Sequence, residues 1–138
     1  MSQFKPTVLK YVQEAREMNR TNKSCHIAVL LQGKRKICSY GFNQMDRQCY
    51  RGRHVSSLHA EVDCVRKIQH IHQKVQRYTL IVAKVSKNDD SKMYCSLPCK
   101  QCTKYLLGLG FKSIYCSTRH GTIVKVHLTR YVPYDTDT

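Results

Sequence analysis

Two short stretches, His59-Ala60-Glu61 and Pro98-Cys99-Lys100-Gln101-Cys102, contain residue types that bind a soft metal ion. Imidazole nitrogen and thiolate sulfur are common zinc ligands, and a catalytic zinc usually takes three protein ligands and leaves one position to water. His59, Cys99 and Cys102 meet that number, and Glu61 remains as a carboxylate that is not needed as a ligand. If one ion is bound, the fold must bring two distant stretches to one point.

The carboxylate of Glu61 is suited to carry protons. Hydrolysis that releases an amine needs a Lewis acid, a nucleophile made from water near neutral pH, and a group that moves a proton to the leaving nitrogen. A carboxylate two residues from a metal-binding histidine can supply that last function as a general acid and base. The two stretches together therefore predict metal-assisted hydrolysis with Glu61 as the catalytic residue.

Both stretches are predicted to lie where a helix begins. After Glu61, apolar residues recur at helical spacing, at Val62, Val65, Ile68 and Ile71 or Val75. Pro98 suits a first helical position, and a second helix is predicted from Cys99 to about Leu109, with Gly108 and Gly110 ending the run. Unpaired amides and the helix dipole at a helix start lower the pKa of a thiol, which favours metal binding. Two such helix starts facing each other would hold one ion between them.

Other arrangements of these cysteines and histidines remain open. A fourth soft ligand, for which Cys95 is the candidate, would close the site and make the ion structural. A second, structural zinc site would combine Cys49 and His54 with Cys25 or His26. A C-x-x-C pair can also be a redox pair, although such pairs normally follow the first strand of a thioredoxin-like unit and this one lies late in the chain.

The order of the motifs carries a family resemblance. Histidine-x-glutamate followed by proline-cysteine-x-x-cysteine is the signature of zinc-dependent nucleobase deaminases. From about Ser24 onward the chain resembles the cytidine and deoxycytidylate deaminase superfamily in four segments: Gly41-Phe42-Asn43, His59-Ala60-Glu61, Pro98 to Cys102, and Gly110-Phe111-Lys112 leading into Ile114-Tyr115. The resemblance implies an α/β fold of three layers, α/β/α, of the cytidine deaminase type. It also implies one Zn²⁺ per chain on His59, Cys99 and Cys102, with Glu61 as the proton shuttle.

The resemblance says less about the substrate. It implies that Asn43 contacts the sugar or base, with Ala60 and Pro98 as further substrate contacts. From the residues alone, Asn43 is also explained as a turn residue at a strand end. Where relatives often have threonine and glutamate before the proline, this chain has Tyr94-Cys95-Ser96-Leu97, and the stretch 44–57 matches no known substrate loop. The sequence therefore leaves the base and its phosphate state open.

Net charge is the feature of the composition that bears on partners. Lysine and arginine number 24 against nine acidic residues, which gives a formal charge of +15. Such an excess favours polyanions, either nucleic acid or at least a phosphorylated substrate. A basic surface kept for solubility explains the charge equally well, because charge supplies affinity without naming a partner. Basic residues cluster at 34–36 and at 47–54, where Tyr50 lies among arginines and could stack a base.

The order of predicted elements indicates a mixed sheet of five strands in one domain over 1–138. Its parts are a first helix over 7–19, a core over 24–131 and a loose tail over 132–138. The core is predicted to contain a hairpin of strands over 25–31 and 36–42, a long polar loop over 44–57, and a buried strand over 78–85. Strand, helix, strand in this order predicts a parallel crossover. Between strands 113–116 and 123–128 too few residues remain for a crossover helix, so the last strand should be antiparallel.

The leading functional hypothesis is a zinc-dependent hydrolase that deaminates a cytosine-type base in a free nucleoside or nucleotide. One alternative is a deaminase of a base in single-stranded RNA or DNA, and another is an idle member of the fold that binds nucleic acid or protein. No apolar run reaches membrane-spanning length, and residues 1–3 do not begin an apolar secretory segment. We therefore expect no membrane partner and an intracellular location, in the cytoplasm or nucleus, with buried free thiols. The resemblance implies a homo-oligomer, either a dimer or a tetramer.

Overall fold

The structure is a computed structural model that describes residues 4–18, 24–43, 48–50, 53–55, 59–86, 88 and 92–129. Within these residues the helices are α1 (Lys5–Leu9), α2 (Val12–Met18), α3 (Ala60–Val65) and α4 (Lys100–Leu109). The strands are β1 (Ser24–Gln32), β2 (Lys36–Phe42), β3 (Gln48–Tyr50), β4 (Arg53–Val55), β5 (Tyr78–Ser86), β6 (Met93–Tyr94), β7 (Ser113–Ser117) and β8 (Ile123–His127). Two 3₁₀ turns, Ile71–Gln73 and Val75–Arg77, lie between α3 and β5.

One mixed sheet organises the chain. Its strand order is β2-β1-β5-β7-β8, and β6 pairs with β5 outside this path. β1 is antiparallel to both β2 and β5, β5 is parallel to β7, and β7 is antiparallel to β8. The predicted hairpin and the predicted antiparallel last strand are therefore confirmed. The short strand β6 adds a sixth strand to the five that were predicted.

The sheet is covered by helices on both faces, as predicted. On one face α1 and α2 bury their apolar side chains against alternate residues of β1 and β5, including Ile27, Val29, Ile81 and Ala83. On the other face α3 and α4 pack on the intervening residues, including Ala28, Leu30, Leu80 and Val82. Because both faces of these strands are buried, their sequences are almost continuously apolar. The result is the three-layer α/β/α arrangement.

The carboxyl ends of three strands meet at one edge of the sheet. β1 runs antiparallel to its neighbours β2 and β5, so β2, β5 and β7 all point the same way. α4 connects the adjacent parallel strands β5 and β7, whereas the crossover through α3 passes from β2 to β5 with β1 between them. α3 and α4 therefore begin at the same edge, which is where ligands bind in open α/β sheets.

The amino-terminal helix predicted over 7–19 is divided in two. The backbone N–H of Tyr11 donates to Val8 O at 3.1 Å. This hydrogen bond spans three residues, as in a 3₁₀ turn, and tightens the chain between α1 and α2. Val8, Val12 and Ala15 nevertheless all remain buried against the sheet. The apolar spacing that predicted one helix is preserved, but the backbone is interrupted.

Two further segments differ from the prediction. The first metal-binding helix was predicted to reach Ile71 or Val75, but α3 ends at Val65, and His70 adopts a left-handed conformation with φ of 56°. Ile71 and Val75 are still buried, so their spacing reflected burial and not helix length. In the stretch 44–57, β3 and β4 form a small antiparallel hairpin in place of an irregular loop. Strands of three residues are too short to show alternation in the sequence.

Every cysteine whose side chain the structure describes is a free thiol. Cys25, Cys64 and Cys116 are buried in the core, whereas Cys38 is partly exposed. Small thiols behave as apolar side chains when they are buried, which accounts for their place in the core strands and in α3. Among the described residues, the structure contains no helix long and apolar enough to cross a membrane.

Candidate metal centre

The three predicted metal ligands meet at the starts of α3 and α4. His59 is the N-cap residue of α3 and Cys99 is the N-cap residue of α4, and both have extended backbone conformations. Cys102 lies in the first turn of α4. The His59 Nδ1 atom lies 2.9 Å from Cys102 Sγ and 3.5 Å from Cys99 Sγ. All three ligand atoms lie within 4.8 Å of one another.

This arrangement fits a single zinc ion. A tetrahedral zinc with usual bond lengths keeps its nitrogen and sulfur ligands about 3.6 to 3.8 Å apart. The ligand atoms of His59, Cys99 and Cys102 need only small side-chain adjustments to reach that spacing. No fourth histidine, cysteine, aspartate or glutamate belongs to the group among the described residues. The donor set is therefore compatible with one zinc ion that keeps a coordination position open.

The surroundings favour a thiolate at the cluster. A hydrogen bond from the Cys102 thiol lowers the pKa of Cys99 to about 3, with a further contribution from His59. The same hydrogen bond, together with burial, raises the pKa of Cys102. His59 has a raised pKa because it is hydrogen-bonded to Cys99. Since zinc binds thiolates and neutral imidazole, zinc binding here would displace the proton that the two sulfurs share.

Glu61 lies beside this cluster but does not belong to it. It is the second residue of α3, and its side chain is buried, with 4% of its surface exposed. Burial raises the pKa of the Glu61 carboxyl, whereas a hydrogen bond and the nearby His59 lower it. The pKa of Cys102 is raised mainly by its hydrogen bond to Cys99 and by burial, and the charge of Glu61 raises it further. A buried carboxyl thus faces the metal ligands from the same helix turn as His59.

Polar contacts from β2 hold α3 in place. Ser39 Oγ donates to the Cys64 carbonyl at 2.8 Å, and Asp63 Oδ2 accepts the backbone N–H of Phe42 at 3.1 Å. Asp63 is buried and also pairs with Arg66 at 2.9 Å. The two elements approach so closely that a Cβ atom on Gly41 would lie 2.5 Å from the Cys64 nitrogen. These contacts were not predicted, because nothing in the local sequence pattern marks Ser39 or Asp63 as tethers.

Two buried serines hold the segment that leads to Cys99. Ser96 Oγ donates to the Val82 carbonyl at 2.7 Å and accepts the Ser117 N–H at 2.8 Å. Ser117 Oγ in turn donates to the Tyr94 carbonyl at 2.7 Å. These bonds attach the segment before Pro98 to the ends of β5 and β7. Ser96 lies in the stretch 94–97 that departs from the family pattern, and its structural role was not predicted.

The predicted substrate contacts are distributed around the site. Ala60 and Pro98 are buried and flank His59 and Cys99 in the sequence. Asn43 is partly buried, and its Oδ1 atom accepts the backbone N–H of His26 at 3.1 Å. Asn43 therefore joins the end of β2 to the start of β1, as expected of a residue that stabilises a strand end. A role in substrate binding stays a prediction for all three.

Two alternative metal sites were considered from the sequence, one with Cys95 as a fourth ligand and one around Cys49 and His54. Cys95 is exposed and is absent from the cluster, so the structure does not support the closed four-ligand site. For the second site, β3 and β4 place Cys49 opposite His54 in backbone register. Their side chains lie outside the described residues, and that site stays untested.

The fold and the cluster together define a class of protein: a three-layer α/β/α domain with one His-Cys-Cys site for zinc, at the edge where the central strands end. Comparison with protein families agrees with this class. The family described as the cytidine and deoxycytidylate deaminase zinc-binding region matches residues 2–118. A comparison with curated protein sequences finds no match. The chain belongs to the cytidine and deoxycytidylate deaminase family and has its zinc-dependent deaminase domain.

Proposed function

We propose that the protein removes the amino group of a cytosine-type base in a free nucleoside or nucleotide by hydrolysis. The observation that supports this most directly is the position of Glu61, a buried carboxyl beside three zinc ligands and outside their cluster. A structural site would have no use for such a group. Hydrolytic deamination needs it, because a proton must reach both the ring nitrogen and the leaving amine.

The residues divide the chemistry among them. His59, Cys99 and Cys102 would hold the zinc ion, which supplies Lewis acidity and makes water nucleophilic near neutral pH. Glu61 would take one proton from that water and pass it to the ring nitrogen. It would then take the proton of the hydroxyl group now on the ring carbon and give it to the amine, which leaves as ammonia as the carbonyl forms. Burial of the Glu61 carboxyl raises its pKa, which makes the carboxylate a stronger base toward that water. Val62 and the two cysteines are packed together, which keeps bulk water from this side of the site.

The test is to replace Glu61 and assay a substrate panel. Glu61→Ala should keep zinc, because Glu61 is not a ligand, and should lose at least about a hundredfold of kcat on cytidine, deoxycytidine or their monophosphates. The matched control is Glu14→Ala, which removes an exposed carboxylate from α2, on the opposite face of the sheet. Zinc content is measured in the same preparations. Equal turnover by the parent and the zinc-loaded Glu61→Ala protein would refute the proposed mechanism.

The net charge of +15 supports a second candidate, deamination of a base in single-stranded RNA or DNA. Such an enzyme neutralises several phosphates, so its affinity for an oligonucleotide falls steeply with salt. We expect binding at 50 mM salt that falls about a hundredfold or more by 200 mM if a strand is the substrate. Absence of binding at 50 mM salt would exclude this candidate and leave the free nucleoside or nucleotide.

We also propose a homo-oligomer, a dimer or a tetramer. β2 is an edge strand of the sheet, and an edge strand can pair with a strand of a neighbouring chain. Light scattering coupled to size exclusion measures the mass directly. A particle with the 16.1 kDa mass of one chain would contradict this proposal.

A further inference from the structure

Three side chains form a row across neighbouring strands at the edge where the metal centre lies. Backbone pairing aligns His26 of β1 with Lys84 of β5, and Lys84 with Tyr94 of β6. Residues paired across adjacent strands point to the same face of a sheet. Two residues earlier in β5 and two later in β1, Val82 and Ala28 belong to the core under α3 and α4. The row therefore continues the face of the sheet that carries the metal centre, about 7 Å beyond the apolar core.

The row adjoins the metal centre, close enough for the charge of His59 to act on His26. The N–H of His26 donates to Asn43, at the end of the strand that leads toward His59. Tyr94 precedes Cys99 by a segment held by Ser96 and Ser117, and the Lys84 N–H donates to Ser117 Oγ at 2.9 Å. The backbone of the row is thus fixed by the same hydrogen bonds that position the metal-binding segment.

Lys84 supplies the positive charge of this row. Its side chain is partly buried, and its Nζ atom lies 6.0 Å from the centre of the Tyr94 ring. Among the described residues no carboxylate forms an ion pair with it. The pKa of His26 is lowered to about 4, mainly by burial and to a lesser extent by the charges of Lys84 and His59. This histidine is therefore neutral at pH 7. One ammonium group with no carboxylate partner among the described residues therefore lies beside the site.

We propose that Lys84 binds the phosphate of a nucleoside monophosphate whose base reacts at Glu61, and that Tyr94 positions the ammonium group. This inference rests on the proposed function and adds the substrate class. A lysine ammonium is a compact charge that commonly binds phosphate, and partial burial reduces the screening of its charge by salt. The Tyr94 ring attracts the ammonium group through its π electrons and limits where the flexible side chain can go.

The row favours one phosphate over a strand of nucleic acid. A polynucleotide channel combines a track of cations with aromatic platforms on which successive bases stack. The row offers one cation, and the Tyr94 ring lies next to that cation. A single charged contact suits a single phosphate group. The preferred substrate is then the monophosphate and not the free nucleoside.

The experiment compares deoxycytidine and cytidine with their 5′-monophosphates. We expect the parent to have a higher kcat/KM for a monophosphate than for its nucleoside. Lys84→Ala should reduce the kcat/KM of the monophosphate, through KM, about tenfold or more beyond any reduction for the nucleoside. Lys84→Arg should recover part of that difference, because the charge is restored. The control is Lys112→Ala, an exposed lysine before β7 at the other edge of the sheet, which should leave the ratio as in the parent.

Binding measured without turnover separates this inference from the proposed function. In the zinc-loaded Glu61→Ala protein, calorimetry with the monophosphate should show a Kd that rises about tenfold on adding Lys84→Ala, and less on adding Tyr94→Ala. The inference would be refuted if Lys84→Ala weakened the binding of nucleoside and monophosphate equally, or if it weakened only the binding of oligonucleotides. Neither result would contradict deamination itself. Monophosphate binding that depends on Lys84, in a protein that turns over no panel substrate, would support the contact between Lys84 and the phosphate and refute the proposed function.

Discussion

α3 and α4 each present a metal ligand at their N-cap residue, but the fold holds the two helices by different means. α4 has ten residues, an apolar side centred on Leu106, and a carboxyl end closed by Gly110, whose φ is 105°. The N–H of Phe111 donates to the Leu106 carbonyl at 3.0 Å, which completes that cap. α3 has six residues, all of them buried, and polar bonds tie it to β2.

The difference follows from helix length. A helix of six residues is far below the length at which a helix is stable by itself, so its conformation must come from tertiary contacts. α3 therefore depends on Ser39, Gly41 and Asp63 for the position of His59 and Glu61. α4 contains enough turns and apolar surface to keep Cys99 and Cys102 in place by packing. Substitutions in the two regions should consequently affect stability and zinc affinity in different proportions.

The largest expected effect tests the packing of α4. Leu106 is fully buried, and Leu106→Ala should lower the free energy of unfolding by about 3 to 4 kcal/mol, because it leaves a cavity between the helix and the sheet. The exposed neighbour Leu107 is the control, and Leu107→Ala should cost less than about 0.5 kcal/mol. Urea unfolding of the zinc-loaded proteins measures both. Similar losses for the two variants would show that packing does not hold α4.

The next effect tests the approach of α3 to β2. Gly41→Ala places a methyl group 2.5 Å from the Cys64 nitrogen and 2.9 Å from the Ala60 carbonyl oxygen, so α3 must move away. We expect a loss of about 2 to 3 kcal/mol and weaker zinc binding, since His59 moves with the helix. Gly108→Ala is the matched control, because a Cβ there meets nothing within 4 Å. Unfolding and competition with a zinc chelator give the two quantities, and unchanged zinc affinity in Gly41→Ala would contradict the proposed dependence.

A smaller effect tests the carboxylate that links α3 to β2. Asp63→Ala leaves the buried N–H of Phe42 without its acceptor, and should cost about 2 kcal/mol. Asp63→Asn keeps an oxygen for that bond and loses only the charge that pairs with Arg66 and Lys67, so its cost should be about half as large. Thermal and urea unfolding of both variants provide the comparison. If Asn and Ala are equally destabilising, the bond from Phe42 to Asp63 is not what holds α3 against β2.

The smallest effect tests the cap of α4. Gly110→Ala forces a β-carbon into a left-handed conformation and brings it 3.0 Å from Val75 Cγ1, which should cost about 1 kcal/mol. Gly110→Asn should cost less from the backbone, because asparagine tolerates this conformation better. Zinc affinity should stay within about twofold of the parent in Gly110→Ala, since the cap lies at the far end of α4 from its ligands. A larger change in zinc affinity would show that α4 depends on its cap to hold the ligands.

Elements with strong local signals were predicted well. The hairpin of β1 and β2 followed from two apolar runs, and the antiparallel β8 followed from the short connection after β7. The extent of α4 was also predicted, because Pro98 and Gly110 mark its two ends. Cys99 and Cys102 were predicted as ligands from their spacing together with Pro98 and the earlier His59-Ala60-Glu61 stretch. The strand pairing and the metal ligands were thus encoded over short distances in the chain.

Features that depend on distant contacts were missed. The end of α3 at Val65 could not be predicted, because Ile71 and Val75 continue the apolar spacing while the backbone turns at His70. β6 has only two residues and exists because β5 extends past β7 and offers it a partner. The tethers at Ser39 and Asp63 have no sequence signal. Their bonding partners come from elements that approach them only when α3 packs against β2.

The amino-acid sequence by itself determined the donor atoms for zinc, the carboxylate beside them and the family, because these depend on residue types at short spacings. Tertiary structure alone decided how His59 reaches Cys99 and Cys102, and which polar groups hold it there. It also decided that Lys84 and Tyr94 lie next to each other at that edge. The reason is physical: metal-binding motifs and strand alternation are local patterns, whereas helix docking and sheet register arise from contacts between residues far apart in the chain.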